Sequence, residues 1–532
     1  MNIQLDIRWS TWSSQLRRER FADEAPSAPG QEGAAGGAGA SGWMLGAAEE
    51  EEEGVADAPA DEAEGALVQT PLLVEARPAV RPQVYGTLAT ALTHMGMGTI
   101  LGFSGITLPQ LTDSTSNDLV LSTFQVAIFS SVINLGAAVG CIAGGVPLVR
   151  IGQRLTLLMI LPVALLAWLT LFTSQYVWGL VAARAVLGVA MGIMASSSVN
   201  YIVELADSSL RGRLVALLNI SRYLGYLFIY AVGSSTLTWR EVALVCGCVT
   251  TVPPFVGLLF LPDSPRWLAT RDRLEEARRS LVFFRGPDYD SAQELNSILA
   301  QLDQSVGSCK STRDQLRRMR QPAILRSSMI IAFLHLTMAF SGSFVVSAYL
   351  VSIFDAAHVS LSSYYSAVVI GLVRLVGVSV NILFIDVVGR KPLLITSCSV
   401  CGACLFMLGG FFYDQAFEIE FSEMWVPLAC LSVYIFFSSL GFPVVELVLG
   451  EFLPTTVRAT AVSILYTVLF VGVFAAVQTY PYVADAVGRY GAFWVYGACN
   501  FLMAIVSALT LTETRGQTLE QISQQQQQAR GT

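Results

Sequence analysis

The segment Glu204-Leu-Ala-Asp-Ser-Ser-Leu-Arg211 has a counterpart later in the chain, Glu451-Phe-Leu-Pro-Thr-Thr-Val-Arg458, in which the arginine again stands seven positions after the glutamate. A turn that combines a glycine with basic residues precedes each segment, Arg150-Ile-Gly152-Gln-Arg154 in the first case and Asp386-Val-Val-Gly389-Arg390-Lys391 in the second. The distance from that glycine to the glutamate is 52 residues in one case and 62 in the other. We infer an internal duplication, and duplicated halves are typical of alternating-access carriers whose site lies between the halves.

The chain around these segments is strongly apolar. Of its 532 residues, 53% are hydrophobic and 14% are charged, whereas soluble domains carry about 25% charged residues, so a soluble enzyme is excluded. From Tyr85 onward, apolar runs close to the ~20 residues that cross a bilayer alternate with short polar loops. The twelve runs centre on residues 86–108, 125–148, 155–174, 178–203, 214–236, 239–261, 327–353, 363–385, 391–412, 426–450, 461–483 and 491–511. Only the connection from Pro262 to Arg326 is long, and its pattern predicts short amphipathic helices.

The positions of lysine and arginine predict the orientation of these spans. Arg240 and Arg489 fall in loops after odd-numbered spans, three arginines fall within spans, and the remaining 27 basic residues all lie on the other side. Under the positive-inside rule, both termini and the long central connection are cytoplasmic. The N-terminal tail, residues 1–82, is acidic and rich in Ala, Gly and Pro, and this composition predicts disorder.

The sequence lacks the patterns of several other function classes. It contains no basic patch with interleaved aromatic residues, so nucleic acid is not an expected partner. The nine cysteines lie mostly in apolar runs, and Cys398-x-x-Cys401-x-x-Cys404 is interpreted as a set of packing residues rather than metal ligands. Neither an enzyme nor an ATP-driven pump is supported, because no phosphate-binding loop, nucleophile elbow or HExxH motif is present. We therefore expect no cofactor and no metal.

Together with further motifs, the repeated segments resemble those of the sugar porters of the major facilitator superfamily, over roughly residues 83–523. The further motifs are Arg184-x-x-x-Gly188-x-x-x-Gly192, Pro262-Asp-Ser-Pro-Arg-Trp-Leu268 and Thr512-Glu-Thr-Arg-Gly516-x-Thr-Leu. The first span, Gly102-Phe-Ser-Gly-Ile-Thr-Leu-Pro-Gln-Leu111, is most similar to the insect trehalose-transporter-like branch.

The resemblance implies an all-α membrane protein with the major facilitator fold, in which 12 transmembrane helices form two six-helix bundles joined by a cytoplasmic helical linker. The implied divisions are an acidic cytoplasmic tail (1–82), an N-terminal bundle (83–261), the linker (262–326), a C-terminal bundle (327–512) and a second cytoplasmic tail (513–532). It also implies facilitative transport of a hexose or trehalose-like sugar by alternating access. The expected partners are then the small-molecule solute and the lipid bilayer, and the expected location is the plasma membrane.

The charged residues of the repeated segments predict a cytoplasmic conformational latch. The resemblance implies that its ion pairs form when the carrier faces outward and break when it opens inward. In the alternative interpretation, the same charges only satisfy helix ends and topology. Val149, Gln153 and Asp207 stand where the family usually has an acidic residue, an arginine and a proline, so we expect a weaker latch in the N-terminal half. The predicted pairs join Arg150, Arg154, Arg211 and Arg213 to Glu204, and Arg390, Lys391 and Arg458 to Asp386 and Glu451.

The resemblance also assigns a solute site. Family sites hold sugar hydroxyls with amide side chains and cover the ring with aromatic faces. Of the family positions transferred to this chain, only Asn219 keeps an amide, and Arg222 lies three residues beyond it on the same helical face. The complete predicted set is Asn219, Arg222, His335, Met338, Phe344, Arg374, Glu446 and Phe470.

Arg222, Arg374 and Glu446 are ionisable groups within spans, where such groups cost about 2.5–3.5 kcal/mol and usually face a cavity. One hypothesis is a net positive cavity suited to an organic anion or an acidic sugar. The alternative is that Glu446 pairs with one arginine for structural reasons while the other bonds carbonyls.

The coupling mode follows from the first span. In proton-coupled family members an aspartate of this span takes the proton, and the corresponding residue here is Ser104, which favours a facilitative carrier. Glu446 is a fallback proton carrier. Two further functions stay open: an organic-anion carrier of the same fold that uses Arg222 and Arg374, and a non-transporting nutrient sensor that signals through its tails.

Overall fold

The computed structural model describes residues 78–113, 119–306, 312–418, 423–453, 457–511 and 513. All of them belong to one compact unit, residues 73–532. Every regular element in these ranges is an α-helix. The predicted acidic tail up to residue 77 and the C-terminal tail from residue 514 lie outside the described residues.

The first half of the described chain contains six long helices and one short one. Ser122 and Thr238 begin two of the long helices with capping boxes, in which each side chain accepts a hydrogen bond from the backbone of the N3 residue. Gly152 adopts φ +87° and separates the short helix from the next long one. The helices are α1 (Val80–Thr112), α2 (Thr123–Ala143), α3 (Gly145–Ile151), α4 (Gln153–Thr173), α5 (Val177–Leu205), α6 (Arg211–Gly233) and α7 (Trp239–Leu259).

Four short helices form the connection between the halves, as the amphipathic pattern predicts. A small apolar core that includes Leu268 and Leu281 holds the first three of them together. The guanidinium of Arg285 donates two hydrogen bonds to Glu294, at 3.0 and 2.8 Å, and a third at 2.7 Å to the carbonyl of Leu205 at the end of α5. This part of the linker is therefore fastened to the N-terminal half. Its helices are α8 (Pro265–Thr270), α9 (Leu274–Arg285), α10 (Ser291–Val306) and α11 (Thr312–Met319).

The second half repeats the pattern with one difference. The apolar run 327–353 is predicted as one span, whereas the structure divides it into three helices. The first break falls at Gly342, whose φ of +95° is left-handed and suits a residue without a side chain. The helices are α12 (Pro322–Ala339), α13 (Ser343–Ala348), α14 (Leu350–Ala356), α15 (Ser363–Val388), α16 (Arg390–Ala416), α17 (Val426–Phe452), α18 (Arg458–Val487) and α19 (Arg489–Thr510).

Length and composition identify the membrane spans. Within the described ranges, eleven helical segments are long and apolar enough to cross a bilayer. The twelfth predicted span is α1, which has 33 residues and carries buried threonines, such as Thr87 and Thr90, that bond carbonyls of their own helix at 2.8 and 2.7 Å. The structure thus has the predicted 12-helix organisation.

Helix packing shows the duplication directly. In the first half α2 packs on α5, α1 on α6, and α4 on both α5 and α7. In the second half the corresponding pairs are α15 on α17, α12 on α18, and α16 on both α17 and α19. The halves meet through α2 with α18, α6 with α15, and α1 with α13 and α14.

Candidate functional site

A polar cavity lies between the two halves. Its volume is about 60 Å³. At roughly 10–15 Å³ for each water, this is room for about four to six water molecules, so a larger solute could enter only if the helices separated. The lining residues are Leu101, Arg222, Tyr223 and Tyr226 of the first half, and Met338, Ser343, Phe344, Arg374, Ser438, Ser439, Phe442 and Glu446 of the second.

An ion pair crosses this cavity from one half to the other. Nη1 of Arg222 on α6 lies 3.6 Å from Oε1 of Glu446 on α17. Both side chains keep about a fifth of their surface exposed, 19% for Arg222 and 23% for Glu446, which leaves donors and an acceptor accessible from the cavity. The Arg222 guanidinium also lies 5.3 Å from the ring centre of Tyr223. The pair joins the halves and at the same time presents hydrogen-bonding groups.

The second cavity arginine has different surroundings. Arg374 is 5% exposed, donates from Nη2 to Ser347 Oγ at 2.9 Å and lies 4.5 Å above the ring of Tyr226. Its Nε has no hydrogen-bond partner within the described part of the chain, and no described carboxylate pairs with it. A buried cation stabilised by a hydroxyl and an aromatic face therefore borders the cavity.

Five of the eight predicted site residues line the cavity, and three lie elsewhere. Asn219 is half-buried on α6 outside the lining. His335 is fully buried, donates from Nδ1 to the carbonyl of Ile331 at 2.9 Å and meets Tyr466 edge to face at 6.0 Å between ring centres. Phe470 stacks on the same Tyr466 at 6.4 Å. His335 and Phe470 thus belong to an aromatic cluster between α12 and α18.

Sequence reasoning missed the other seven lining residues. Helical spacing could have found Ser438, Ser439 and Phe442, because they stand eight, seven and four positions before Glu446 and so share its face of α17. The same rule applied to Arg222 finds Tyr226, four positions later on α6. No local signal points to Leu101 or Ser343.

The halves are in close contact at the end of the cavity that lies away from the linker. A Cβ on Gly105 of α1 would come within 2.2 Å of the Ser347 carbonyl oxygen on α13, so only glycine allows this approach. Ser131 Oγ on α2 donates to Gln478 Oε1 on α18 at 2.6 Å. These contacts close that end of the cavity.

The predicted latch residues of the first half make other contacts than the expected ones. Glu204 accepts hydrogen bonds from Gln153 Nε2 at 2.8 Å and from Ser264 Oγ. Arg154 instead pairs with Asp263 at 3.6 Å and donates to the carbonyls that end α7. Among the predicted partners of Glu204, Arg211 donates to the Ala206 carbonyl at 3.5 Å, and Arg150 and Arg213 form no ion pair with Glu204.

One further acidic group lies beside this region, in the loop between α5 and α6. Burial alone would raise the pKa of Asp207, but hydrogen bonds from the Ser209 side chain and backbone hold that pKa below its usual value. The backbone N–H of Asp207 also donates to Gln83 Oε1 of α1 at 2.9 Å, which connects the loop to that helix. The residue that replaces the usual proline thus organises the turn.

The second half contains one predicted latch pair. Asp386 and Arg390 are 3.1 Å apart, with 77% of the Asp386 side chain exposed. The carboxylate of Glu513 accepts hydrogen bonds from the backbone N–H groups of Arg390 and Lys391 at 3.0 and 3.1 Å. Arg458 donates to the Leu453 carbonyl at 3.3 and 3.1 Å, and the Glu451 side chain lies outside the described residues.

Ser104 of the first span, where the resemblance predicts a neutral residue, is a hydrogen-bond partner of a buried arginine. Arg184, fully buried on α5, donates to Ser104 Oγ at 2.7 Å and to the Ile100 carbonyl at 2.8 Å. The rings of Phe103 and Phe129 lie 5.6 and 5.3 Å from its guanidinium carbon. Within the described ranges, no group of three or more His, Cys, Asp or Glu side chains is arranged to hold a metal ion.

Comparison with known proteins finds relatives that are named as trehalose transporters. The chain is 29% identical over 460 residues to the facilitated trehalose transporter Tret1 of Drosophila yakuba, which covers 85% of this chain and 53% of the relative. It is 29% identical over 442 residues to the transporter of the same name from Apis mellifera ligustica, covering 83% of this chain and 87% of the relative. The chain thus spans about half the length of the Drosophila relatives it matches.

Solved structures of low sequence identity share the fold. The partially occluded inward open form of the xylose transporter XylE from E. coli superposes with a TM-score of 0.69 at 22% identity, over 82% of this chain and all of that one. XylE bound to 6-bromo-6-deoxy-D-glucose gives a TM-score of 0.67 at 23% identity, over 83% of this chain and 98% of that one. The chain therefore shares the fold of XylE, which is described as a protein of the major facilitator superfamily.

A family model described as "Sugar (and other) transporter" matches residues 85–525, which include both halves and the linker. This match confirms the resemblance inferred from the motifs. The chain belongs to the sugar transporter family.

Proposed function

We propose that this protein is a facilitative carrier that moves a sugar, a hexose or a trehalose-like disaccharide, across a membrane by alternating access. The observation that carries the proposal is the cavity between two duplicated halves, in which an ion pair from Arg222 to Glu446 links the halves. Family membership and the trehalose-transporting relatives support the choice of a sugar.

The cavity chemistry fits a polyol even though the usual amides are replaced. A sugar hydroxyl both donates and accepts, so guanidinium donors, a carboxylate acceptor and the hydroxyls of Ser438 and Ser439 can engage it. The faces of Tyr226 and Phe442 can cover the C–H surface of a ring. We therefore assign solute recognition to Arg222, Arg374 and Glu446 with these neighbours.

Transport then requires the Arg222–Glu446 pair to part. Glu446 lies six positions before the end of α17, or about 9 Å at 1.5 Å per residue, so the pair stands on the linker side of the cavity. With the other end closed by Gly105 and Ser347, separation of α6 from α17 opens the cavity toward the linker. Following the distribution of basic residues, we assign the linker and both termini to the cytoplasm, in a plasma-membrane protein with domain divisions at residues 82, 261, 326 and 512.

The facilitative mechanism rests on the first span. Ser104 offers Arg184 a neutral hydroxyl, and the one carboxylate among the lining residues, Glu446, is paired with Arg222. A proton gradient is therefore not expected to drive uptake.

The proposal is tested by uptake of labelled glucose and trehalose into proteoliposomes that contain the full chain. We expect saturable uptake that a protonophore does not change. Arg374→Gln should raise KM about tenfold or more, because a hydrogen bond to a charged group contributes about 1.5–3 kcal/mol. Ser439→Ala should raise KM severalfold, whereas Ser399→Ala, whose hydroxyl bonds only the Ile395 carbonyl of its own helix, should leave KM unchanged.

Three results would contradict parts of the proposal. Binding of sugar without flux would establish a sensor, and flux that collapses with the proton gradient would establish a symporter. Unchanged kinetics in Arg374→Gln for every solute would remove the cavity from solute recognition.

One observation favours a second candidate, a carrier of organic anions or acidic sugars. Arg374 is a buried cation whose Nε has no partner and which no described carboxylate neutralises. A carboxylate or phosphate on the solute could complete its hydrogen bonds. The discriminating result is anion uptake, in the absence of sugar uptake, that Arg374→Gln abolishes.

A further inference from the structure

An open groove lies on the outer face of the second half, apart from the central cavity. It has a volume of about 610 Å³, and six residues of α12 and Val506 of α19 line it. All the lining side chains except Arg326 are apolar: Pro322, Leu325, Met329, Ile330, Phe333 and Val506. Met329 is 63% exposed, so much of the groove surface has no protein covering in the described structure.

The dimensions of the groove match one leaflet of a bilayer. From Pro322 to Phe333 the helix rises about 17 Å at 1.5 Å per residue. Half of a bilayer hydrocarbon core of ~30 Å is about 15 Å. The groove also begins where the candidate span Ile324–Ala348 begins, so it runs from the edge of the span inward. A groove of this length and polarity matches the dimensions and chemistry of an acyl chain.

The mouth of the groove carries positive charge. Arg326 lies within the lining, and Arg317, Arg318 and Arg320 stand just before α12. All four side chains are exposed, and within the described ranges no carboxylate pairs with any of them. By contrast, Arg278 and Arg279 of the linker both pair with Glu275, at 3.7 and 3.2 Å. The arginines at the groove are therefore free to bind an anion.

A tether holds this basic segment against the membrane-spanning helices. Thr460 Oγ1 near the start of α18 donates to Gln315 Oε1 on α11. Met319 at the end of α11 packs against the main apolar core. The arginines are thereby fixed at the end of the groove instead of extending into solvent.

We propose that this groove is a binding site for one anionic glycerophospholipid, with one of its two acyl chains along α12 and its phosphate on Arg326 and the neighbouring arginines. Anionic lipids are enriched in the cytoplasmic leaflet, which is the side assigned to the linker. The opposite face of α12 carries Met338 to the solute cavity, so a bound lipid supports a helix that lines the transport site.

The test titrates the purified full chain in a neutral detergent with dioleoylphosphatidylserine and, in parallel, with dioleoylphosphatidylcholine, and counts bound lipid by native mass spectrometry. We expect selective binding of one phosphatidylserine. Arg326→Gln should weaken its apparent affinity about fivefold, since each basic group near a membrane surface contributes about this factor, and Arg317→Gln with Arg318→Gln should weaken it further. Arg278→Gln with Arg279→Gln is the matched control and should bind as the wild type does.

A variant of the groove distinguishes binding of the acyl chain from binding of the lipid headgroup. Val506→Trp fills the groove without changing its charge, and it should reduce phosphatidylserine binding while the protein keeps its melting temperature. Equal binding of both lipids by the wild type would overturn the proposal. Complete displacement of bound phosphatidylserine by glycerophosphoserine, which has no acyl chain, would also overturn it. A change of oligomeric state in Val506→Trp would overturn it as well, because the occupant would then be a second copy of the chain.

Discussion

The two halves of the molecule have the same backbone conformation at the linker-side turn, but different side chains stabilise that turn in each half. Gly152 and Gly389 adopt nearly the same conformation, with φ, ψ of +87°, +167° and +98°, +160°. In each half, the segment that follows the sixth span folds back onto this turn. In the first half that segment brings Ser264 and Trp267, and in the second it brings Glu513.

The difference lies in where the charge is placed. In the first half the carboxylate of Glu204 lies on α5 and accepts from the neutral side chains of Gln153 and Ser264. In the second half the carboxylate of Glu513 comes from the chain after α19 and meets the positive N-terminal end of α16. Duplication has thus preserved the geometry of the turn, while the groups that hold it have diverged.

The largest effect is expected at the two glycines. Their φ, ψ region is open essentially to glycine alone, so Gly152→Ala and Gly389→Ala should each lower the free energy of unfolding by about 1–3 kcal/mol. The loss should be greater for Gly152, whose Cβ would come within 2.9 Å of the Trp267 ring, because the Trp267 indole is fixed by a hydrogen bond to the Val149 carbonyl. In the other half, a Cβ on Gly389 would come within 2.8 Å of the Glu513 side chain, which can rotate away. Thermal unfolding in detergent measures both.

Matched controls exist in each half. Gly212 on α6 and Gly410 on α16 have no atom within 4 Å of an added Cβ, so alanine there should be neutral or stabilising by about 0.5–1 kcal/mol. If Gly152→Ala and Gly389→Ala behave as these controls do, the shared backbone conformation does not stabilise the protein.

The sequence predicted some of these features and could not predict others. Long apolar runs determined the spans well, because about 20 apolar residues have few alternatives to a membrane helix. The equal Glu–Arg spacing revealed the duplication. Charge alone suggested arginine partners for Glu204, whereas the structure supplies Gln153 and Ser264, since the return path of the linker over the turn is not encoded by local spacing. The contact between Arg374 and Tyr226 likewise depends on how α15 crosses α6.

A second test compares the two carboxylates. Glu513→Gln should cost about 0.5–1 kcal/mol, because a negative charge at a helix N-terminus is lost while one hydrogen-bond acceptor remains. Glu204→Gln should change stability by less than that, because its hydrogen-bond partners are neutral and an amide oxygen can replace a carboxylate oxygen. The measurement is thermal unfolding at low and high salt, where the Glu513 effect should shrink more than the Glu204 effect. Equal losses in the two variants would show that the halves do not differ in their use of charge.

The smallest effect is expected at the ion pairs beside the turns. Asp386→Asn removes a largely exposed pair with Arg390, of the i, i+4 kind, and should cost about 0.3–0.5 kcal/mol at low salt and almost nothing at 1 M salt. Asp263→Asn removes the ion pair beside the turn of the first half, with Arg154, whose guanidinium is also fixed by the Leu258 carbonyl at 2.9 Å. With exposures of 20% and 24% this pair is less screened, so its loss should persist in salt. Thermal unfolding of the two variants at low and at 1 M salt measures this difference. If the loss of stability persists in salt for Asp386→Asn and vanishes for Asp263→Asn, the more important ion pair is that of the second half.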